Sequence, residues 1–292
     1  MNLADLKYFF TSLRGADKPP SWTGKSIRDE WFGSHFNYAA DVVFDWVGAE
    51  RLRQGRVLDF GCGDGITGLG LILRHATKAV LGVDVSATHK GLPKLAQREI
   101  GLRRLPSSLQ FQRIQPGQAF STGAKVDVII SWSTFEHIEW PYMAGVLDNL
   151  HAVLADDGVF FLQINPLYYA PQGSHLGRFQ LQPWAHLLLT PEQLQAAVAA
   201  FQGEIPSEEV EENFHTRDFA AYKDFVLDEY RKLNRLTTSA LIAALAERGF
   251  EVVREQFDQV SLLPPAGLLA QHSLHDLRTE EVRLLLRKRI AP

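Results

Sequence analysis

Three glycines, at positions 61, 63 and 65, follow an apolar run in "VLDFGCGDG", and two carboxylates, Asp59 and Asp84, stand on either side of them. A glycine-rich turn after a strand lets backbone N–H groups approach a nucleotide closely. The spacing is G-x-G-x-G with Ile66 next, which departs from the G-x-G-x-x-G of dinucleotide enzymes and argues against a nicotinamide oxidoreductase. Asp84 closes "VLGVD" 19 residues after Gly65, close to the offset of about 20 at which a carboxylate accepts from ribose hydroxyls. It could instead be a charge favoured at a helix N-terminus. Asp59 precedes the turn, where its charge would repel a pyrophosphate. That acid suits a ligand with a positive centre, an amino group and no phosphate.

A second set of reactive side chains is Glu136–His137 in "STFEHIEW". An imidazole there could take the proton of a hydroxyl acceptor, or the pair could cap and orient the helix that follows. Aromatic and imidazole side chains are also dense in two segments: Trp31, His35 and Tyr38 in one, Tyr168, Tyr169, His175 and Trp184 in the other. They are expected either to wall an acceptor pocket or to form a satellite core. Lys18, Lys25, Arg28 and Arg178 are candidates for a phosphate on the acceptor, although isolated basic residues are usually solvated.

These residues need elements to hold them. Short apolar runs predict strands at 56–60, 79–85, 108–114, 125–132 and 158–164. Helical stretches alternate with them at 66–76, 87–101 and 141–155, Pro93 implying a late start or kink in the second and "DDG" a turn after the third. Strand–helix alternation implies parallel pairing and an α/β fold with helices on both faces. Ligands in such sheets bind beyond the strands' C-terminal ends. The rhythm breaks at 166–236, read as an inserted, substrate-facing cap with helices at 191–201 and 217–234 and an acidic segment at 203–214. It resumes with a helix and strand in 237–257. Periodicity does not decide between strand and helix at 281–290, and the basic run 283–290 is expected at a sheet edge or tail. The expected division is a helical extension or lid at 1–50, a core at 51–165 and 237–292, and the cap.

The chain has 292 residues and a net charge of −4, which argues against a broad nucleic-acid footprint. One cysteine, Cys62, excludes an intrachain disulfide. The N-terminus lacks the apolar core of a signal peptide and no apolar run is long enough to span a membrane, so the expected location is the cytoplasm.

The motifs "VLDFGCGDG", "VLGVDVS", "VDVIISWSTFEHI" and "LADDGVFFLQINP" resemble those of the class I S-adenosylmethionine-dependent methyltransferases, in particular the broad small-molecule group. The resemblance covers about 57–166, with a weaker match at 237–257. It implies a seven-stranded, doubly wound, Rossmann-like sheet with an antiparallel final strand. It implies S-adenosylmethionine as cofactor and S-adenosylhomocysteine as product. Asp59, Gly61, Cys62 and Gly63 would then cradle the cofactor's amino-acid end, Asp84 its ribose and Val85 its adenine, with Ser131 and Trp132 on the methionine side. An acid that often contacts the adenine amino group is replaced in "IQPGQAF" by Gln115 or Gln118, whose carbonyl can still accept. Some members hold a divalent ion with Glu-x-x-Glu-His and a further histidine. Here Ser133 stands at the first glutamate position, leaving Glu136 and His137 with His175 as a third candidate, and no metal is expected. The expected activity is O-methylation of a small molecule or glycan, such as a cell-surface polysaccharide precursor, with His137 and Glu136 as catalytic residues. The competing reading is a non-catalytic binding module or partner subunit on the same fold.

Overall fold

The computed structural model describes residues 27–203 and 218–289. Lys18, Lys25 and all of the acidic segment 203–214 except Gly203 lie outside the described residues. The chain enters through a helix, α1, which is α-helical at Glu30–Gly33, π-helical at Ser34–Ala39 and α-helical again at Ala40–Val47. Asp29 starts it by accepting a hydrogen bond from the Phe32 N–H. A short α2, Ala49–Gln54, leads into β1, Arg56–Phe60. There follow α3 (Ile66–His75), β2 (Ala79–Asp84), α4 (Leu92–Ile100), β3 (Leu109–Arg113), β4 (Val126–Trp132), α5 (Trp140–Val153) and β5 (Leu154–Ile164). The segment after β5 carries α6 (Pro191–Ala200) and α7 (Phe219–Lys232). The alternation then resumes with α8 (Thr238–Glu247), β6 (Phe250–Gln259) and β7 (Thr279–Lys288).

The seven strands form one sheet in the order β3-β2-β1-β4-β5-β7-β6. Neighbours from β3 to β5 pair in parallel, and β7 runs antiparallel to both β5 and β6. One face buries Phe36, Val43 and Trp46 of α1 with Ile66 and Leu69 of α3 and Leu92 of α4. The other buries Met143, Leu147 and Leu150 of α5 with Leu241 and Leu245 of α8. The sheet is therefore wound on both faces, and strand order reverses between β1 and β4. Ligand crevices open at such a reversal. Part of the N-terminal extension is thus core: Phe32 and Phe36 of α1 are fully buried. The cap has a small core of its own, in which Leu194 and Val198 of α6 meet Tyr222, Val226 and Leu227 of α7.

Two elements depart from the sequence expectation. Strand β5 begins at Leu154 because that residue pairs with Val126 at the foot of β4. The register then slips before Val128 pairs with Val159, so Asp156–Gly158 is a bulge inside the strand and not a turn. The basic C-terminal run is not a sheet edge: β7 lies between β5 and β6, held by Leu284 and Leu286, both fully buried. The late start at Pro93 is seen, with a 3-10 turn at Thr88–Gly91 before α4.

Candidate active site

The glycine turn sits where β1 ends against β2 and β4. Gly61, Gly63 and Gly65 have φ of 74°, 51° and 80°, the left-handed region that glycine enters without strain. A Cβ on Gly61 would lie 2.2 Å from the Thr134 side chain, and one on Gly65 would lie 2.5 Å from the Phe111 ring. Asp84, at the tip of β2, accepts from the Gly63 N–H at 2.8 Å and the Ser86 N–H at 2.7 Å, one bond to each carboxylate oxygen. It therefore shapes the turn as well as facing the cleft. Cys62 donates its N–H to the Val83 carbonyl, while its thiol packs against Gly82. Burial pushes that thiol's pKa up, so Cys62 acts here through its backbone and not as a reactive sulfur.

Asp59 is 3% exposed beneath the turn. Burial, then the charges of Asp64 and Asp84, raise its pKa to about 7. An ionised Asp59 attracts a cationic ligand, and protonation removes that attraction. Cofactor affinity is therefore expected to rise from about pH 6 to about pH 8, measured by calorimetry, and this rise should vanish in Asp59→Asn. An identical profile in the two proteins would remove Asp59 from the site's electrostatics. The free protein should show the opposite trend. The folded carboxyl holds its proton more tightly than the unfolded one, at 3.8, so this group's contribution to stability is present at acid pH and lost as pH rises through about 7.

A cleft of about 320 Å³ runs from Gln115 and Val85 past Asp84 and Gly61 to Thr134 and His137. Gly61, Asp84, Val85 and Gln115 of the expected cofactor residues thus line one volume with His137, while Asp59, Cys62, Gly63 and Glu136 are not part of its lining. Val85 is 46% exposed, open to a ligand on one side. Gln118 joins Gln115 in the same wall. Ser131 does not reach the cleft: it is fully buried and its hydroxyl has no partner. Trp132 packs between Tyr38 and Phe161, with ring centroids 6.0 and 6.4 Å away.

The helix α1 presents Trp31, His35 and Tyr38 on one side. The Trp31 indole donates to Asp64 of the glycine turn at 2.7 Å and packs on His35 at 4.1 Å. The Tyr38 hydroxyl accepts from Arg283 of β7 at 2.8 Å. Trp31 and Tyr38 remain 53% and 50% exposed, and none of the three residues lines the cleft. The aromatics of the cap divide differently. Trp184 is 3% exposed, with its indole N–H shared between the carbonyls of Tyr169 and Leu277 at 3.1 and 3.0 Å. Tyr168 is also buried, with its ring against Tyr230 and His186. Both are core residues and not pocket walls, because their polar ends are satisfied inside the protein. Tyr169 is half-buried against His272.

His175 comes from the cap to the β4 end, its ring centroid 5.0 Å from that of His137. Together with Glu136 these residues offer ligand atoms all within 4.8 Å of one another. Glu136 is 3% exposed and neither carboxylate oxygen has a partner. Burial raises its pKa to about 8. Desolvation in the cleft wall lowers the pKa of His137, and burial and the His137 charge lower that of His175 to about 4.

Two residues here were not legible from sequence. The Thr134 hydroxyl donates towards the Gly61 and Trp132 carbonyls and so seals the glycine turn against β4. Asn234, just after α7, pins the Phe135–His137 turn from the cap side. Its side-chain amide donates to the Phe135 and Ile138 carbonyls, and its backbone N–H donates to Glu136 at 2.9 Å.

Comparison with known proteins follows the same lines. A family model described as a methyltransferase domain matches residues 35–255, well over half of the chain. Ribosomal protein L11 methyltransferase of Pseudomonas syringae pv. tomato is 30% identical over 89 residues, which are 30% of this chain and 30% of that protein. The chain thus spans less than a third of the length of the curated relatives it matches. Among solved structures, a protein of Pyrococcus horikoshii OT3 has a TM-score of 0.50 at 15% identity, covering 91% of this chain and 94% of that one. PKMT2 from Rickettsia typhi, in complex with AdoHcy, has a TM-score of 0.49 at 15% identity, covering 88% of this chain and 54% of that one.

Proposed function

This chain belongs to the methyltransferase-domain family and takes its methyl group from S-adenosylmethionine, and from that premise we propose that it methylates a hydroxyl oxygen of a small molecule or glycan, such as a cell-surface polysaccharide precursor. The observation that carries the reading is the single cleft joining Gln115, Asp84 and Gly61 to His137. Asp59, Gly61 and Gly63 hold the methionine end of the cofactor, Asp84 its ribose, and Val85 and Gln115 its adenine. Thr134 and His137 line the part of the cleft that would face the reacting methyl group. The acceptor enters between Trp31, His35 and Tyr38 of α1 and the Tyr169–His175 side of the cap.

Transfer is an in-line displacement. S-adenosylmethionine held in the cleft would supply the methyl carbon, its C–S bond breaking as the C–O bond to the acceptor forms, and His137 is the base that takes the hydroxyl proton at the Glu136–His137 turn. The cofactor supplies the reactive carbon, and the protein's contribution is orientation and proton removal. No described helix is long and apolar enough to cross a membrane. No broad nucleic-acid surface is part of the reading.

The test is calorimetry with S-adenosylhomocysteine, followed by mass-spectrometric screening of phenols, glycans and lipid-linked sugars for methyl gain. Ribosomal protein L11 belongs in the screen, since it is the namesake substrate of a relative. Micromolar product binding and methylation of a hydroxyl compound are expected. Methylation of the protein alone, or at nitrogen, would overturn the acceptor class while leaving the cofactor in place.

A further inference from the structure

We propose that Glu136, His137 and His175 bind one divalent transition-metal ion beside the methyl-transfer site, with the inserted cap delivering the third ligand. The inference rests on the reading above, that the acceptor oxygen loses its proton at this turn, and it changes the device: His137 becomes a ligand of the ion that assists proton loss.

The side chains meet a fit test. Their ligand atoms lie within 4.8 Å of one another, so small rotations bring all three onto one ion. Both oxygens of Glu136 are buried, and neither bonds to any other residue. A carboxylate removed from water and left without compensation is costly, and a cation is the partner that would compensate it. The His175 ring points the same way. It is hydrogen-bonded to the Pro166 carbonyl, and the nitrogen left over, Nε2, is buried with no partner. A buried ring nitrogen without a partner is thus available in the same cluster as His137 and Glu136. An imidazole that donates one nitrogen to a backbone carbonyl and offers the other is the arrangement that orients metal-binding histidines.

The backbone also holds the set. His175 has φ of 58°, a strained value for a residue with a Cβ, and its N–H is tied to the Gln172 carbonyl at 3.0 Å. Asn234 fixes the turn carrying the other two with three hydrogen bonds. These are side chains from two separate segments, braced so that their ligand atoms lie within 4.8 Å of one another.

Two imidazoles and one carboxylate suit zinc, manganese, cobalt or iron(II) better than magnesium or calcium, which prefer oxygen. His137 is exposed, so a position on the ion would face the cleft. A cation there would supply Lewis-acid stabilisation of the deprotonated acceptor oxygen. The Ser133 departure that made a metal unexpected removes one carboxylate but leaves this three-residue set intact.

The test needs neither acceptor nor methyl donor. Full-length protein is stripped with a chelator and titrated with Zn²⁺, Mn²⁺ and Co²⁺ by calorimetry, with the visible spectrum of the Co²⁺ form recorded. One ion per chain is expected. Glu136→Gln and His175→Ala should each weaken binding about tenfold or more. Both variants should bind S-adenosylhomocysteine as the parent does, which reports their folding. His275→Ala, on the surface elsewhere, should leave metal binding unchanged. Uptake of none of the three ions by protein that binds S-adenosylhomocysteine, or uptake indifferent to both substitutions, overturns the site. Should the ion be absent while His137→Ala still halts transfer, the metal fails and the reading of the turn stands. An ion bound by protein that transfers no methyl to oxygen gives the reverse.

Discussion

Asp84→Ala is expected to weaken S-adenosylmethionine binding about a hundredfold or more. The carboxylate has two tasks. It accepts one backbone bond at each oxygen, from Gly63 and from Ser86, and so holds the glycine turn in shape. Its remaining lone pairs face the cleft, where ribose hydroxyls would donate. Hydrogen bonds to a charged group contribute about 1.5–3 kcal/mol each. Losing two ribose bonds therefore accounts for the hundredfold, and slackening of the turn adds to it. Asp84→Asn should be nearly as damaging, a result not expected of an ordinary ribose contact. Both carboxylate oxygens already accept from an N–H, so an amide NH₂ at either place sets donor against donor. A second consequence follows through Asp59, whose proton affinity is raised partly by the Asp84 charge. Removing that charge should move the pH at which residual cofactor binding is gained towards acid. Calorimetry against pH measures all three effects, and affinity unchanged in both variants would take Asp84 out of the cofactor site.

What could be read from the sequence was local. The glycine turn carries its own signal, because positive φ and close packing against Thr134 demand the missing side chain at Gly61. The strands before and after it are short apolar runs, and the ribose acid lies at a fixed offset set by one strand–helix–strand unit. Composition alone could not sort the aromatics. Trp184 and Trp31 look alike in the sequence. One has its indole N–H satisfied by two buried carbonyls, while the other reaches across to Asp64 from an exposed helix face. His175 could be named from sequence, but its meeting with His137, and any role for Asn234, were out of reach for a different reason. Both residues are brought to the β4 end by the path of the cap, and the helical patterns at 191–201 and 217–234 do not say where that path runs. The start of β5 was misplaced because "DDG" has turn chemistry, yet the foot of β4 supplies a pairing partner that holds it in a bulged strand.

The remaining large effect is at the turn itself. His137→Ala is expected to lower turnover by roughly 10²-fold or more with cofactor affinity retained. The imidazole lines the same cleft as Gly61 and Asp84 but makes no bond to the glycine turn, so its loss should spare binding of the methyl donor. The residue is exposed, and its backbone N–H bonds to the Thr134 carbonyl whatever the side chain, so alanine should keep the turn. The assay is the initial rate on the hydroxyl acceptor found by screening, with S-adenosylhomocysteine affinity as control. A near-normal rate would reduce His137 to a helix-orienting residue. Glu136→Gln then separates the two devices that this turn could use. Glutamine keeps the size and polarity of the buried side chain and removes its ability to ionise. With His137 as a free base, the rate should change little, since neither Glu136 oxygen is bonded to the imidazole. With an ion bound, the carboxylate formed by loss of the Glu136 proton is what holds it, and Glu136→Gln should cost as much as His137→Ala. Equal losses in the two variants, restored in part for Glu136→Gln by excess Mn²⁺ or Zn²⁺, are expected from the ligand set described above, and a loss confined to His137→Ala would return the proton to the histidine.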